Sequence, residues 1–414
     1  MKNLVSFILL LLLIPFSCAL QGQWVQTTGA IDTNVTQLTV LNQYLFAATT
    51  TGYNNSQIIA STDDGITWFT TKTGLARVID AFSSCGSNLF ISLDDAGAYI
   101  STDYGSNWSQ TNTTVEPYIK SFITCGSIFF AGTWYQGVYA TTDYGVSWTQ
   151  MDSGLANLYV NVLIENNSNL FAGTSGGGVY LSTNFGTSWT GVSKGIPAYY
   201  GYIDAMASVG TNIFAGTYDI GVYLSTNNGA NWTAARTGLP MYIATYDQIL
   251  AFASSGNNLF AGTNGGGVCL TTDNGTSWTN VSDGLGCLAI HALAVKDGYL
   301  FAGADSSIWR RPLSEMTGIT DKSNDLPVKF SLEQNYPNPF NPNTKITYSI
   351  TQKAHVSLSI YNSLGQEISK LVSQDLTPGV YTSEWNAAGF ASGVYYYRIT
   401  AGNFAQTRKL ILLK

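Results

Sequence analysis

The residues in this chain best suited to chemistry are carboxylates: Asp94, Asp95, Glu116, Asp219, Asp247 and Asp305 fall in short polar segments between apolar runs. Two acids held roughly 5 to 9.5 Å apart could hydrolyse a glycosidic bond, one as the acid and the other as base or nucleophile. Sequence spacing supplies no such distance, so hydrolysis stands as an alternative reading. Other chemistries are poorly provided for. GTSGG at 173–177 matches a G-x-S-x-G nucleophile pattern, but that pattern needs a strand-to-helix elbow and a histidine partner. The same place reads AGTYD at Tyr218 and AGTNG at Asn264, so Ser175 is one variant of a turn. His291 and His355 are the two histidines, and no C-x-x-C or H-E-x-x-H occurs. No catalytic residue, metal ligand or cofactor is therefore assigned. His291 opens an apolar run and reads as a packed or channel-lining residue. The GGG runs at 176 and 265 read as turns, because no helix follows to receive a phosphate.

The elements that must position these groups are repeats. STDYGSNW at 101 returns as STDDGITW at 61, TTDYGVSW at 141, STNFGTSW at 182, STNNGANW at 225 and TTDNGTSW at 271. The closing tryptophans, Trp68, Trp108, Trp148, Trp189, Trp232 and Trp278, are 40 to 46 residues apart, the period of propeller blades rather than helical solenoids. A second phrase, LFAGT or a near copy, occurs seven times, from LFAATT at 45 to LFAGAD at 300. The seventh tryptophan is supplied by Trp24 in QGQWVQTTG, so an N-terminal strand is expected to complete the last blade. Each unit reads as four strands, such as VNVLIE, NLFAGT, GGVYLST and SWTQM. With 10% charged residues, 42 Gly, 25 Tyr and 19 Phe, the composition suits short strands and turns. The expectation is an all-β chain: a seven-bladed β-propeller over 24–313, then an immunoglobulin-like β-sandwich over 330–414.

In S/T-x-D/N-x-G-x-x-W each residue has a local task at the tip of the hairpin joining the third and fourth strands. Asp63, Asp103, Asp143, Asn184, Asn227 and Asp273 can accept hydrogen bonds from N–H groups of their own turns. Gly105 and its equivalents can take a positive φ, and the tryptophans can fill space between blades. The segment resembles the Asp-box of sialidase-like and sortilin-like propellers, over residues 24–313. In those families the box lies away from the ligand site, which implies scaffolding here. A sialidase also needs three converging arginines and an Arg-Ile-Pro phrase. Only Arg77, Arg236, Arg310 and Arg311 are present in the propeller and the phrase is missing, so that activity is not expected.

Aromatic residues remain in the loops of the opposite face: Tyr53, Trp134, Tyr135, Tyr159, Tyr199, Tyr200, Tyr218 and Tyr246 are expected to bind a ligand, with Tyr118 and Tyr242 beside them. Flat rings near carboxylates can stack on a sugar or dock a protein.

Residues 1–20, MKNLVSFILLLLLIPFSCAL, read as a secretion signal cut after Ala19, since the apolar run from Leu4 to Phe16 is short for a membrane span. No other stretch could cross a bilayer, and the mature chain is expected to be a monomer without a transmembrane segment. Cys85, Cys125, Cys269 and Cys287 then remain. Cys85 and Cys125 hold equivalent repeat positions, which allows either an inter-blade bridge or two buried thiols.

Residues 314–329 are polar and break the repeat, marking a linker. Seven strand-like runs follow, and YPNPFNP (336–342) is expected to be a rigid non-ladder connection. LEQNYPNPFNPNTKITYSI, VSLSIYNSLGQEISKLV and SGVYYYRITAGNFAQTRKLILLK resemble the type A C-terminal sorting domain of the bacterial type IX secretion system. The resemblance implies a cargo carried to the periplasm, recognised by the secretion machinery through residues 330–414, and moved to the outer-membrane surface or beyond. Residues 25–313 hold 18 acidic and 8 basic side chains, net −10, whereas 314–414 hold 7 and 9, net +2; Lys2 completes the total of −7. Such an acidic body does not suit nucleic acid. The resulting expectation is a secreted or surface-held binding module for a glycan or protein, with an extracellular glycoside hydrolase as the alternative.

Overall fold

The computed structural model describes residues 23–28, 33–52, 55–112, 118–198, 201–242, 245–246, 248–317, 330–335, 337–376, 379–402 and 404–413. The expected signal (1–19) and most of the expected linker lie outside these residues. The chain divides into two compact units, Met1–Thr320 and Asp321–Lys414.

The first unit contains seven four-stranded antiparallel sheets, the blades of a propeller. Blade 4 is typical, running Val160–Asn166, Asn169–Thr174, Gly178–Ser182 and Thr190–Gly191 from the central axis outward. Its second strand is buried on both faces because a neighbouring blade covers each, which is why LFAG is apolar without alternation. The phenylalanine of that phrase, Phe46, Phe90, Phe130, Phe171, Phe214, Phe260 or Phe301, is fully buried in every blade. Blade 7 takes Ile290–Lys296, Tyr299–Ala304 and Ser307–Pro312 from one end of the unit and Val25–Gln26 from the other. Val25 lies opposite Arg310 and Gln26 opposite Trp309, so the ring closes through the strand that carries Trp24.

The repeated turn is built by short-range hydrogen bonds. In blade 3 the Ser147 N–H donates to Asp143 Oδ1 at 2.9 Å and the Ser147 hydroxyl to Oδ2 at 2.6 Å. Thr141 Oγ1 donates to Asp143 Oδ1 and accepts the Gly145 N–H at 3.0 Å. Gly145 has φ +85°. The turn glycine also makes room for the next blade over: a Cβ on Gly275 would lie 2.9 Å from Phe214 and one on Gly65 would lie 2.7 Å from Phe301. The tryptophan indoles reach backward, Trp189 to the Met151 carbonyl at 2.7 Å, Trp232 to Val192 at 2.6 Å and Trp278 to Ala235 at 2.8 Å. Trp108 differs, donating to Gly105 of its own turn at 3.0 Å, and Trp68 donates to Thr27 Oγ1 at 3.1 Å.

Leu313, expected to end the last strand, and 314–317, expected to begin the linker, instead form one helical turn, Leu313–Thr317. Leu313 is buried and its N–H donates to the Gly298 carbonyl at 2.9 Å, so apolar burial extends the first unit past the last strand.

The second unit is a β-sandwich of two sheets. One orders Ser331–Leu332, Asn343–Ile350 and Gly379–Asn386; the other orders Glu367–Leu376, Ala354–Tyr361, Gly393–Ala401 and Phe404–Leu412. Tyr348, Trp385, Tyr397, Ile399 and Leu410 lie in its core. The proline segment is not wholly outside the ladder. Phe340 donates to the Ile411 carbonyl and accepts from the Leu413 N–H, both at 3.0 Å, while its ring packs on Trp385. The flanking prolines lack N–H groups, but Phe340 has one, and burying its ring brings the backbone against the last strand.

Cys85, Cys125, Cys269 and Cys287 are free thiols.

Candidate binding face

Antiparallel pairing puts the start of each inner strand at the same end as the loop between the second and third strands. In blade 2, Ile79 lies opposite Leu93 and Leu93 opposite Gly97, whereas the other end pairs Cys85 with Asn88 and Leu89 with Ser101, where the repeated turn begins. The repeated turns and the inner-strand starts therefore occupy opposite faces.

On the inner-strand face every blade has the same irregularity. Register slips by one residue after Val35, Ile79, Ile119, Val160, Ile203, Ile249 and Ile290, leaving Thr36, Asp80, Lys120, Asn161, Asp204, Leu250 and His291 as bulge residues. A bulge re-aims one side chain without moving the rest of the strand to the other face. Lys120, Asn161, Asp204, Leu250 and His291 line a central cavity of about 240 Å³, to which every blade contributes, with Phe82, Phe122, Phe252, Met206 and Leu293 among the residues around them.

These residues are tied to their neighbours. Lys120 Nζ is 3.0 Å from Asp80 Oδ1, and Gln37 Nε2 donates to the Asp80 carbonyl at 3.1 Å. Asn161 Nδ2 donates to the Ile203 carbonyl at 3.1 Å and lies 3.4 Å from Asp204 Oδ1, while Gln248 Nε2 donates to Asp204 Oδ2 at 2.7 Å. His291 Nε2 meets Asp305 Oδ1 at 2.6 Å, and Cys287 Sγ lies 3.7 Å from Asp305 Oδ2. Burial pushes the Asp80 carboxyl up against the opposing pull of Lys120, and burial likewise pushes Asp204 up against the Gln248 hydrogen bond.

Beside this cavity the loops of blades 3 and 4 gather an aromatic patch. Trp134, Tyr135 and Tyr159 are mutually in contact, with ring centroids 5.4 to 6.4 Å apart, and Tyr118 adds an edge contact to Tyr135 at 5.4 Å. Trp134, Tyr135 and Tyr159 remain 38%, 44% and 44% exposed. Lys120 Nζ stands 5.3 Å from the Trp134 ring centre, joining patch to cavity. At the other side Tyr118 donates to Asp95 Oδ1 at 3.3 Å, and Arg77 lies 3.8 Å from Asp95 Oδ2. The Asp95 carboxylate pushes the Tyr118 phenol up.

Of the residues expected from sequence, the structure gathers Trp134, Tyr135 and Tyr159. Tyr218, 58% exposed, sits in a different loop, where its N–H donates to the Tyr202 carbonyl at 3.3 Å. Tyr53, Tyr199 and Tyr200 lie outside the described residues, as does the side chain of Tyr246, whose backbone pairs with Met241 in a two-residue hairpin. Glu116 and Asp247 are outside them too. Among the described residues no group of three or more metal-type ligands is assembled. The bulge residues other than His291 were not singled out by sequence. A signal was available: each follows a Val or Ile and precedes the buried phenylalanine of its blade by ten positions, as Asp80 does Phe90 and Lys120 does Phe130. A second overlooked repeat is SGL, KGI, TGL and DGL at 153, 194, 237 and 283. Its first residue accepts the backbone N–H of the following tryptophan: Ser153 from Trp189, Lys194 from Trp232 and Thr237 from Trp278, each at 2.8 Å.

Residues 334–413 match the family described as "Secretion system C-terminal sorting domain", so the chain carries the address of a protein delivered outside the cell or to the outer-membrane surface. No curated protein matches the sequence. Among solved structures, the extracellular domain of BT4673 from B. thetaiotaomicron is similar at 14% identity and TM-score 0.59, over 84% of this chain and 51% of that one. PorZ, an essential surface component of the type-IX secretion system of Porphyromonas gingivalis, is similar at 15% identity and TM-score 0.54, over 94% of this chain and 61% of that one. YCF48 bound to a D1 peptide is similar at 14% identity and TM-score 0.54, over 70% of this chain and 96% of that one. The chain thus spans only about half of BT4673's extracellular domain, and likeness at these identities shows a shared propeller fold. Among the described residues no helix is long and apolar enough to cross a membrane.

Proposed function

We propose that the propeller is a non-catalytic binding module, presented outside the cell by a sorting domain that engages the type IX machinery, and that its ligand, a glycan or a protein, docks on the face bearing Trp134, Tyr135 and Tyr159. The observation that carries this reading is the exposed aromatic patch itself, rimmed by Lys120 and Arg77 on the face opposite the repeated turns. Trp, Tyr and Arg side chains are enriched where proteins bind partners. The turn residues from Asp63 to Trp278 serve as scaffold in this reading, since the Asp and Asn side chains accept hydrogen bonds within their own turns and the tryptophans are buried or half-buried between blades. Residues 1–19 act as the export signal, residues near 318–329 as a linker, and the mature chain works as a monomer.

Several acids that could drive hydrolysis are already engaged: Asp95 by Arg77 and Tyr118, Asp305 by His291 and Asp80 by Lys120. One observation favours the alternative, an extracellular glycoside hydrolase, namely that Asp80 and Asp204 sit in one ring with carboxyls raised by burial, as a general acid requires. A screen of the mature chain, residues 20–414, for glycan binding, polysaccharide hydrolysis and protein capture separates the two. Binding without sugar release, abolished by Trp134→Ala, is expected; sugar release lost on Asp80→Asn or Asp204→Asn would replace this reading with hydrolysis.

A further inference from the structure

The scaffold positions of the seven blades are nearly uniform: the residue before the bulge is always Val or Ile, and the phenylalanine ten positions after the bulge is invariant within the chain. The bulge position between them carries Thr, Asp, Lys, Asn, Asp, Leu and His. A ring that only plugged the channel would be best filled by the apolar residues that pack everywhere else, as Leu250 does. Polar residues at the mouth instead incur a desolvation cost, which each must offset by pairing.

Among the described residues of the ring, Asp204 is the carboxylate without a cationic partner. Lys120 is matched by Asp80 and His291 by Asp305. Asp204 has two amide partners, Gln248 and Asn161, and no cation within ion-pair distance among the described residues. The like charge of Asp219 also acts on it, in the same direction as burial. Amide donors satisfy lone pairs but leave the net charge uncompensated, and an uncompensated carboxylate at a partly buried site attracts a cation. The walls next to it suit the rest of such a guest. The half-buried Phe252 ring, on the neighbouring blade, and Met206 are among the residues lining the cavity, and an aromatic ring and a thioether sulfur can receive alkylammonium and guanidinium ions. The space, about 240 Å³, is below the roughly 300 Å³ lower bound usual for drug-sized ligands, and so admits one side-chain-sized group and no oligosaccharide.

From this charge balance, wall chemistry and size, we infer that the channel mouth is a binding site for a side-chain-sized organic cation, an alkylammonium or alkylguanidinium whose charged end pairs with Asp204 and whose stem lies against the Phe252 ring. The cation is either a free amine or the lysine or arginine tip of a partner protein. This site is separate from the aromatic patch and does not rest on the function proposed for it.

The test is calorimetric titration of the mature chain at pH 7 and fixed ionic strength with butylammonium and butylguanidinium, using butanol as the neutral isostere. Saturable binding of the cations is expected, with butanol at least about tenfold weaker. Asp204→Asn, which keeps the amide hydrogen bonds, should weaken the cations at least about tenfold and leave butanol unchanged. Phe252→Leu, which keeps apolar volume but removes the π face, should weaken them several-fold and serves if the Asn variant does not fold. Equal affinity for butanol, absence of saturable cation binding to wild type, or wild-type affinity in either folded variant would overturn the inference. Titration with Nα-acetyl-lysine amide then identifies the source: tighter binding than butylammonium indicates a protein side chain, and weaker binding a free amine. Trp134→Ala should leave all these affinities within about twofold, which keeps this result distinct from the fate of the aromatic patch.

Discussion

Trp24 donates its indole N–H to the Val281 carbonyl at 2.7 Å, across 257 positions of chain. It thereby occupies in blade 7 the place that Trp189, Trp232 and Trp278 hold in blades 4 to 6, whose indoles reach Met151, Val192 and Ala235. The N-terminal strand is thus anchored by the same contact that joins blade 3 to 4, 4 to 5 and 5 to 6. Trp24→Ala removes a side chain only 3% exposed together with that hydrogen bond. A loss of about 3 to 5 kcal/mol is expected, read as a lower urea midpoint with fluorescence or circular dichroism. A loss below about 1 kcal/mol would mean the first strand is dispensable for closure.

Gly195 and Gly210 both have positive φ, +105° and +58°, but only one faces another blade. A Cβ on Gly195 would lie 2.1 Å from the Trp232 carbonyl oxygen, while one on Gly210 would meet nothing within 4 Å. Gly210→Ala should cost about 1 to 2 kcal/mol, the left-handed penalty alone. Gly195→Ala must also push Trp232 away from Lys194, so thermal melts should show it worse by a further 2 kcal/mol or so. Equal losses in the two variants would refute the interlocking role given to the KGI segment.

The turn carboxylates predict how the protein responds to acid. Hydrogen bonds from Thr67 and Ser147 hold Asp63 and Asp143 down to about 2, and Asp103 and Asp273 are lowered by Asn107 and Ser277. Because the folded state favours the charged form, this stabilisation is complete above the ordinary carboxylate range near pH 4 and is lost as pH falls toward 2. Asp80 and Asp204 are raised and act with the opposite sign, their contribution fading as pH rises through their folded values. In Asp63→Asn with Asp143→Asn, that opposing part is unchanged. The double variant should fold, because Asn184 and Asn227 already accept the same backbone N–H at 3.0 and 2.9 Å. Its urea midpoint should fall less between pH 4 and pH 2.5 than that of wild type; parallel curves would contradict the assignment.

Trp134 and Tyr135 are exposed, and their rings touch mainly each other, Tyr159 and Tyr118. Trp134→Ala with Tyr135→Ala should therefore change stability by no more than about 1 kcal/mol. Binding of whatever glycan or protein a screen identifies should fall at least about tenfold, since exposed aromatic anchors concentrate binding energy. A large drop in melting temperature would instead make the patch structural.

Much of this protein could be read along the chain because its instructions are local and repeated. Hydrogen bonds spanning two to four residues build the turn from Ser101 to Trp108, and the L-F-A-G run is buried in every blade by the same neighbours. One count therefore yielded seven blades, and the odd Trp24 yielded the closing strand. The sorting-domain pattern was legible for a similar reason, being carried by contiguous strands such as GVYYYRITA.

What only the tertiary structure decided is which side chains meet across blades. A one-residue bulge after Ile79 or Ile203 lets Asp80 meet Lys120 of the next blade and places Asp204 at the central cavity, and no periodicity announces a slip that leaves the remaining strand in phase. Trp134 and Tyr159 touch although they belong to different blades, whereas Tyr218, equally aromatic and equally placed in its own repeat, sits in a different loop. The chain itself determined the blade and the number of blades. The face, its charges and its cavity arose only when the seven copies closed into a ring, because partners on different blades, such as Asn161 and Asp204, are set by packing of the copies and not by local chemistry.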